Sequence, residues 1–248
     1  MQNNQAVVNP QKSKSSPAIG PVAVMAASGM DLQYLCKLLH FKKKDFEPLF
    51  ISRLYFDNLH AARYSVTGPF VGAPYAVMLL ETLIVRGARQ IIFLGWCGAI
   101  SEKIKIGDII LPTAALIDEG TSRHYGAGDG GQLPVSFPME STIRRALIYN
   151  KITFHEGAVW TTDAVYRETR HKVAAHQANG ILAVEMEMSA LRTVAQFRGV
   201  DLGGVLVVSD ELSSLTWRPG FKHEEFIQSR KTACKLIKEL ICEAGPST

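Results

Sequence analysis

The 248-residue sequence is short of several things, and each shortage excludes a class of function. Its four cysteines, Cys36, Cys97, Cys234 and Cys242, form no CxxC pair and no zinc-type spacing, so they read as reduced thiols and not as a disulfide framework. The seven histidines make no HExxH or comparable ligand pair, and His171 and His176 stand five apart, which separates them on a helix. Neither set of residues has the spacing of a metal site. No apolar run is long enough to span a bilayer, and residues 1–18 (MQNNQAVVNPQKSKSSPA) lack the apolar stretch of a signal peptide. The formal charge is only +4, and apart from Lys42-Lys43-Lys44 the basic residues are scattered, so no stripe suits a nucleic-acid backbone. We therefore expect a cytoplasmic protein with a loose tail over 1–18 and one globular domain over 19–248, binding neither nucleic acid nor membrane.

What the sequence does contain is core. At 47% hydrophobic it can bury a large interior, and short β-rich runs alternate with helical patterns. Strands are expected at 19–26, 49–55, 62–67, 90–96, 108–116, 153–161, 181–184 and 202–208. Helices are expected at about 30–40, 73–86, 139–149, 167–179, 186–198 and 221–243. The runs VAVM, IIFLG and VLVVS show no polar alternation, which suits strands covered on both faces. That predicts an α/β protein, a three-layer α/β/α sandwich around a central mixed sheet. The last helix carries Phe226, Ile227, Ala233, Ile237 and Ile241 as a packing stripe.

Ligands of such sheets bind at the carboxyl ends of strands, so the segments after the apolar runs are where chemistry is sought. Four are distinctive: Ala27-Ser28-Gly29-Met30-Asp31, Gly95-Trp96-Cys97-Gly98-Ala99, Val184-Glu185-Met186-Glu187-Met188 and Val208-Ser209-Asp210-Glu211. All four read as turns, with the glycines serving a close backbone approach or a positive φ. Glu185 and Glu187 stand at a helix start, where the dipole favours an acid; one of two is accounted for in that way. An ionised carboxylate accepts two hydroxyl donors at once, which is what the vicinal diol of a ribose offers. Ser209-Asp210 fits an N-cap or Asx turn as well as a general acid.

VEMEMSAL, GWCGAISEKIKIGDIILP, EGTSRHY and VLVVSD together resemble the family I nucleoside phosphorylases, which include purine nucleoside and uridine phosphorylases and the methylthioadenosine and adenosylhomocysteine nucleosidases. The likeness runs from about residue 19 to about 210, with GPFVGAPYAVMLLETLIVRGARQIIFLGWCGAI as its longest ungapped block. It implies a homo-oligomer (dimer, trimer or hexamer) with sites near subunit interfaces, and cleavage of a nucleoside's N-glycosidic bond without a cofactor. Glu187 matches the glutamate that holds the ribose hydroxyls, Met186 the methionine beneath the sugar, Glu185 the acid before it, and Asp210, beside Ser209, the acid that protonates the departing base. Val165 and Tyr166 match the base-stacking and sugar-side positions, although an aromatic residue is usual where Val165 stands. The uracil-reading Gln-x-Arg has no counterpart near Arg167 and Arg170, which favours a purine or purine-like base. No histidine in 1–18 matches the one donated across the interface; His40 or His60 could substitute.

The same resemblance raises a conflict over phosphate. At the positions that grip phosphate in the family's phosphorylases, this chain has Phe93, Trp96 and Asp31 in place of an arginine, a hydroxyl and a second arginine. A buried phosphate needs charge-assisted donors, so Trp96 reads as a plug behind Gly95 and beside Cys97. Three readings remain open: phosphorolysis with phosphate as co-substrate, gripped by other groups such as Arg53 of a neighbouring subunit; hydrolysis with Asp31 positioning water; and a nucleoside-binding protein without catalysis. Asp31 equally suits a plain acid in the first turn of a helix.

Overall fold

The computed structural model describes residues 6–12, 19–42, 44–56, 63–128 and 138–243. Among them the elements in chain order are β1 (Val22–Ala26), α1 (Gly29–Leu38), β2 (Glu47–Leu49), β3 (Ser52–Phe56), β4 (Tyr64–Gly68), α2 (Ala73–Val85), β5 (Gln90–Ala99) and β6 (Ile109–Asp118). There follow α3 (Pro138–Tyr149), β7 (His155–Thr162), α4 (Arg170–Ala178), β8 (Ala183–Glu185), α5 (Met188–Arg198), β9 (Asp201–Glu211), β10 (Arg218–Pro219) and α6 (Glu224–Glu243).

One sheet takes these strands in the order β10-β9-β6-β7-β8-β5-β1-β4-β3-β2, and β9 also pairs with β5. The strands β5, β8, β7, β6 and β9 therefore close on themselves, while the side from β1 to β2 stays open. Parallel pairs (β1 with β4 and β5, β5 with β9, β7 with β6 and β8) mix with antiparallel ones such as β5–β8 and β6–β9, as expected of a mixed sheet.

The two-residue period of a strand explains why apolar runs without polar alternation build this centre. Ala23, Met25, Ile91, Phe93, Leu206 and Val208 point into one cluster, with Leu79 and Leu80 of α2 and Leu191 and Val194 of α5. Their neighbours Val22, Val24, Ile92, Leu94, Val205 and Val207 point into the other, with Leu32 and Leu35 of α1, Ile143 of α3 and Phe226 and Ile237 of α6. Each fully buried aliphatic side chain contributes roughly 1.5–3 kcal/mol. The sheet is thus held from both sides.

Several expected boundaries move. The strand expected at 49–55 is two strands, β2 and β3, paired antiparallel around Phe50, whose φ is 54°. The helix expected from 167 begins at Arg170, because Val165–Arg167 forms a separate 3-10 turn. The last helix begins at Glu224, with Ile227 half-buried beside the buried Phe226. Of the expected tail, residues 6–12 are described: they form no helix or strand and are mostly exposed. His60 lies outside the described residues.

Candidate active site

Two of the four expected turns are strand. β5 runs through Gly95-Trp96-Cys97-Gly98 to Ala99, and β9 runs through Ser209-Asp210 to Glu211. Their register passes from Cys97↔Val208 to Gly98↔Asp210, so Ser209 is an extra residue and the pair is bulged there. A bulge re-aims the following side chain, here Asp210. The glycines answer to space and not to φ. A Cβ on Gly98 would stand 2.5 Å from Leu212 Cδ1 and 3.0 Å from Asp210 Oδ2, and one on Gly95 would stand 2.6 Å from Phe93 Cζ. Asp210 is then fixed by two donors: Ser209 Oγ to Oδ1 at 2.6 Å and Trp217 Nε1 to Oδ2 at 2.9 Å.

The junction of β8 and α5 carries the other acids. Glu185 Oε2 accepts the N–H groups of Glu187 and Met188 at 2.7 Å each, and Oε1 accepts the Thr161 hydroxyl. Glu185 is thus the acid that the helix start explains, capping orphan amides. Its neighbour Glu187 accepts the N–H of Gly72, at the start of α2, on Oε1 at 2.5 Å. Burial pushes both carboxyls up, Glu185 to about 7 and Glu187 to about 8, with the Glu185 charge adding to the effect on Glu187.

Asp31 is only 1% exposed and fully engaged. Trp96 Nε1 donates to Oδ2 at 2.6 Å, while Arg230 of α6 donates through Nε to Oδ1 at 2.9 Å and makes a 2.7 Å ion pair with the same oxygen. The guanidinium also lies 5.0 Å over the Trp96 ring. Burial outweighs Arg230 and raises the Asp31 carboxyl above its ordinary range.

A cavity of about 790 Å³ opens between these elements. Of the residues singled out from the sequence, Trp96, Cys97, Val165, Tyr166, Glu185, Met186, Glu187, Ser209 and Asp210 line it. Asp31, Phe93 and Gly95 do not: Asp31 lies behind Trp96, and Phe93 is fully buried against Phe70, ring centroids 6.0 Å apart. The plug expected of Trp96 is a wall anchored from behind. Arg53 and His40 are likewise absent from the lining. Sequence reading missed Glu168, Trp217, Phe221 and Phe70 as lining residues. Glu168 and Trp217 follow no apolar period, and only a strand end before each segment could have drawn attention to it.

The sequence pattern of the phosphorylase superfamily matches residues 21–244. The chain belongs to the phosphorylase superfamily. It is 33% identical over 184 residues to the DeoD-type purine nucleoside phosphorylase of Bacillus cytotoxicus, covering 74% of this chain and 75% of that one. Its fold is shared with a purine nucleoside phosphorylase of Toxoplasma gondii in complex with immucillin-H (TM-score 0.77, 19% identity, 91% of each chain). It is shared also with the 5'-methylthioadenosine/S-adenosylhomocysteine nucleosidase of Helicobacter pylori (TM-score 0.71, 17% identity, 91% of this chain and 99% of that one).

The ionisable side chains that line the cavity are all acids. Four carboxyl side chains, Glu168, Glu185, Glu187 and Asp210, line it, and among the described residues of the lining there is no lysine, arginine or histidine. Aromatic faces of Phe70, Trp96, Tyr166, Trp217 and Phe221 form much of the remaining wall. Glu168 is pushed up to about 7 by burial and by the charge of Asp210. Such a site favours a flat ligand rich in hydrogen-bond donors and disfavours an anion. Among the described residues no group of three or more His, Cys, Asp or Glu could hold a metal ion, and no helix is long and apolar enough to cross a membrane.

Proposed function

We propose that this protein cleaves the N-glycosidic bond of a ribonucleoside carrying a purine-type base, and that water takes up the sugar. One observation carries the choice of acceptor: the cavity presents four carboxyls and, among its described lining residues, no cationic side chain. A buried phosphate without charge-assisted donors is strongly disfavoured. A sugar developing positive charge is the opposite case, since carboxylates lower the energy of an oxocarbenium-like transition state.

In this reading Asp210 donates a proton to the base as the bond between C1' and nitrogen breaks and its electron pair moves onto the base. Glu187 accepts from the ribose hydroxyls and fixes the sugar, the proximity contribution. Glu185 does not touch the ligand; it holds the amides of Glu187 and Met188 and so positions Glu187. Water then forms the new bond to C1' and returns a proton to the carboxylate of Asp210. Asp31 takes no part, because it is buried behind Trp96 and does not line the cavity.

The test is a panel of ribonucleosides incubated with and without phosphate, scoring free base, free ribose and ribose 1-phosphate. Free ribose at a rate that phosphate does not raise is expected. Ribose 1-phosphate as the main product would overturn the hydrolytic assignment and move the anion site onto groups outside the cavity, with Arg53 of β3 the first to replace.

A further inference from the structure

The four acids of the cavity are not equivalent. Glu185 is satisfied by three donors, Glu187 by Gly72, and Asp210 by Ser209 and Trp217. The carboxyl of Glu168, a half-buried residue, has no hydrogen-bond or ion-pair partner among the described residues and lines the cavity. It stands at the end of the 3-10 turn Val165–Arg167, whose Val165 and Tyr166 line the same cavity, and it faces the charge of Asp210. An unpartnered carboxyl beside another acid costs the apo protein stability. Such an arrangement is relieved when a ligand brings a donor.

We propose that Glu168 is a specificity-determining residue that accepts a hydrogen bond from an exocyclic amino group of the base, so that the site selects 6-aminopurines over 6-oxopurines. The inference rests on the N-glycosidic reading above, which puts Asp210 at a ring nitrogen. On an adenine-type base the ring nitrogen N7 is an acceptor and its neighbour, the 6-amino group, is a donor; on a hypoxanthine or guanine base N7 and O6 are both acceptors. Two adjacent acids match the first pattern. Asp210 supplies the proton of the proposed general-acid step to N7 while Glu168 accepts from the amino group. A 6-oxo base, whose N7 and O6 both accept, requires a proton on each of the two acids, whereas the 6-amino base requires only one. Forcing a second proton onto two neighbouring acids disfavours the 6-oxo base.

The experiment compares kcat/KM for adenosine and inosine in the unmodified protein and in Glu168→Gln and Glu168→Ala. In parallel, binding of free adenine and hypoxanthine is followed by tryptophan fluorescence, since Trp96 and Trp217 line the cavity. Expected is a preference for adenosine of roughly tenfold or more, collapsing toward parity in both variants, because glutamine can turn its amide to meet either base and alanine reads neither. Parity in the unmodified protein, or an unchanged preference in both variants, would overturn the inference. If no nucleoside is cleaved, the N-glycosidic reading fails by itself. The binding preference for adenine over hypoxanthine, lost on changing Glu168, then decides the role of this residue independently.

Discussion

At the scale of single residues, Glu187 shows how a binding group weakens the empty fold. Burial and the neighbouring Glu185 push its carboxyl from the ordinary value of 4.5 up to about 8 in the folded chain. Between those values the unfolded chain has already lost a proton that the folded chain keeps. Stability is therefore fully present below about pH 4.5 and lost as pH rises through 8. Glu187→Gln removes the titration while its amide oxygen can still accept from Gly72. We expect the variant to melt above the unmodified protein at pH 8, with the gap closing toward pH 4.5. A gap that stays constant across that range would show that burial of this carboxyl is not the cause. The same substitution should cost ribonucleosides more turnover than 2'-deoxyribonucleosides, which lack one of the two donors. Asp210→Asn should lower turnover by roughly 10² with the fold intact, the usual size of a general-acid contribution. Gly98→Ala is a subtler probe, since its new Cβ would press on the Asp210 carboxylate and Leu212. It should reduce turnover by displacing Asp210 without replacing it, and an alanine variant of full activity would mean that the bulge yields easily.

At the scale of elements, the wall of the cavity is fastened by a contact joining three of them: Asp31 of α1, Trp96 of β5 and Arg230 of α6. Removing one member of a buried ion pair leaves the other uncompensated, at about 3–5 kcal/mol. Arg230→Met should therefore destabilise strongly, and Asp31→Leu with Arg230→Met should recover much of the loss, as denaturant midpoints can show. Asp31→Asn should change the stability of the protein far more than the turnover of its folded fraction; the reverse ranking would restore Asp31 as the group that positions water. This cluster was not legible in the sequence, because Asp31 and Arg230 are 199 residues apart and nothing local marks either as a partner. The strands were legible, since VAVM, IIFLG and VLVVS carry the continuous apolar pattern of a sheet buried on both faces. The GWCG and SD segments were read as turns because glycine and Ser-Asp signal turns locally. In the fold, contacts from Phe93 and Leu212 demand glycine within a strand, which only tertiary packing reveals. Glu187 and Asp210 stood out in advance as acids directly following apolar runs. Glu168 did not, because it only closes a short 3-10 turn and follows no apolar period.

At the scale of the molecule, the formal charge of +4 does not extend into the cavity, whose described lining residues include carboxyls and no cationic side chain. Net charge governs solubility and long-range attraction, whereas a cleft with low-dielectric walls imposes its own potential on whatever enters. Phosphate should then be ignored by the folded protein, and a matching nucleoside should hold it folded. Any ligand that binds only the native state stabilises it, by about 2.7 kcal/mol at a hundred times its Kd. For a chain of this size that corresponds to a rise in melting temperature of about 5–10 °C. Adenosine at saturating concentration in a phosphate-free buffer should produce such a rise, or a non-cleavable analogue if turnover removes the nucleoside. Phosphate at 10 mM or so should leave the transition unmoved at constant ionic strength, since screening of surface charge alone is held fixed in that comparison. A specific rise with phosphate alone, saturating and absent with chloride, would place an anion site in the folded protein and return the chemistry to phosphorolysis.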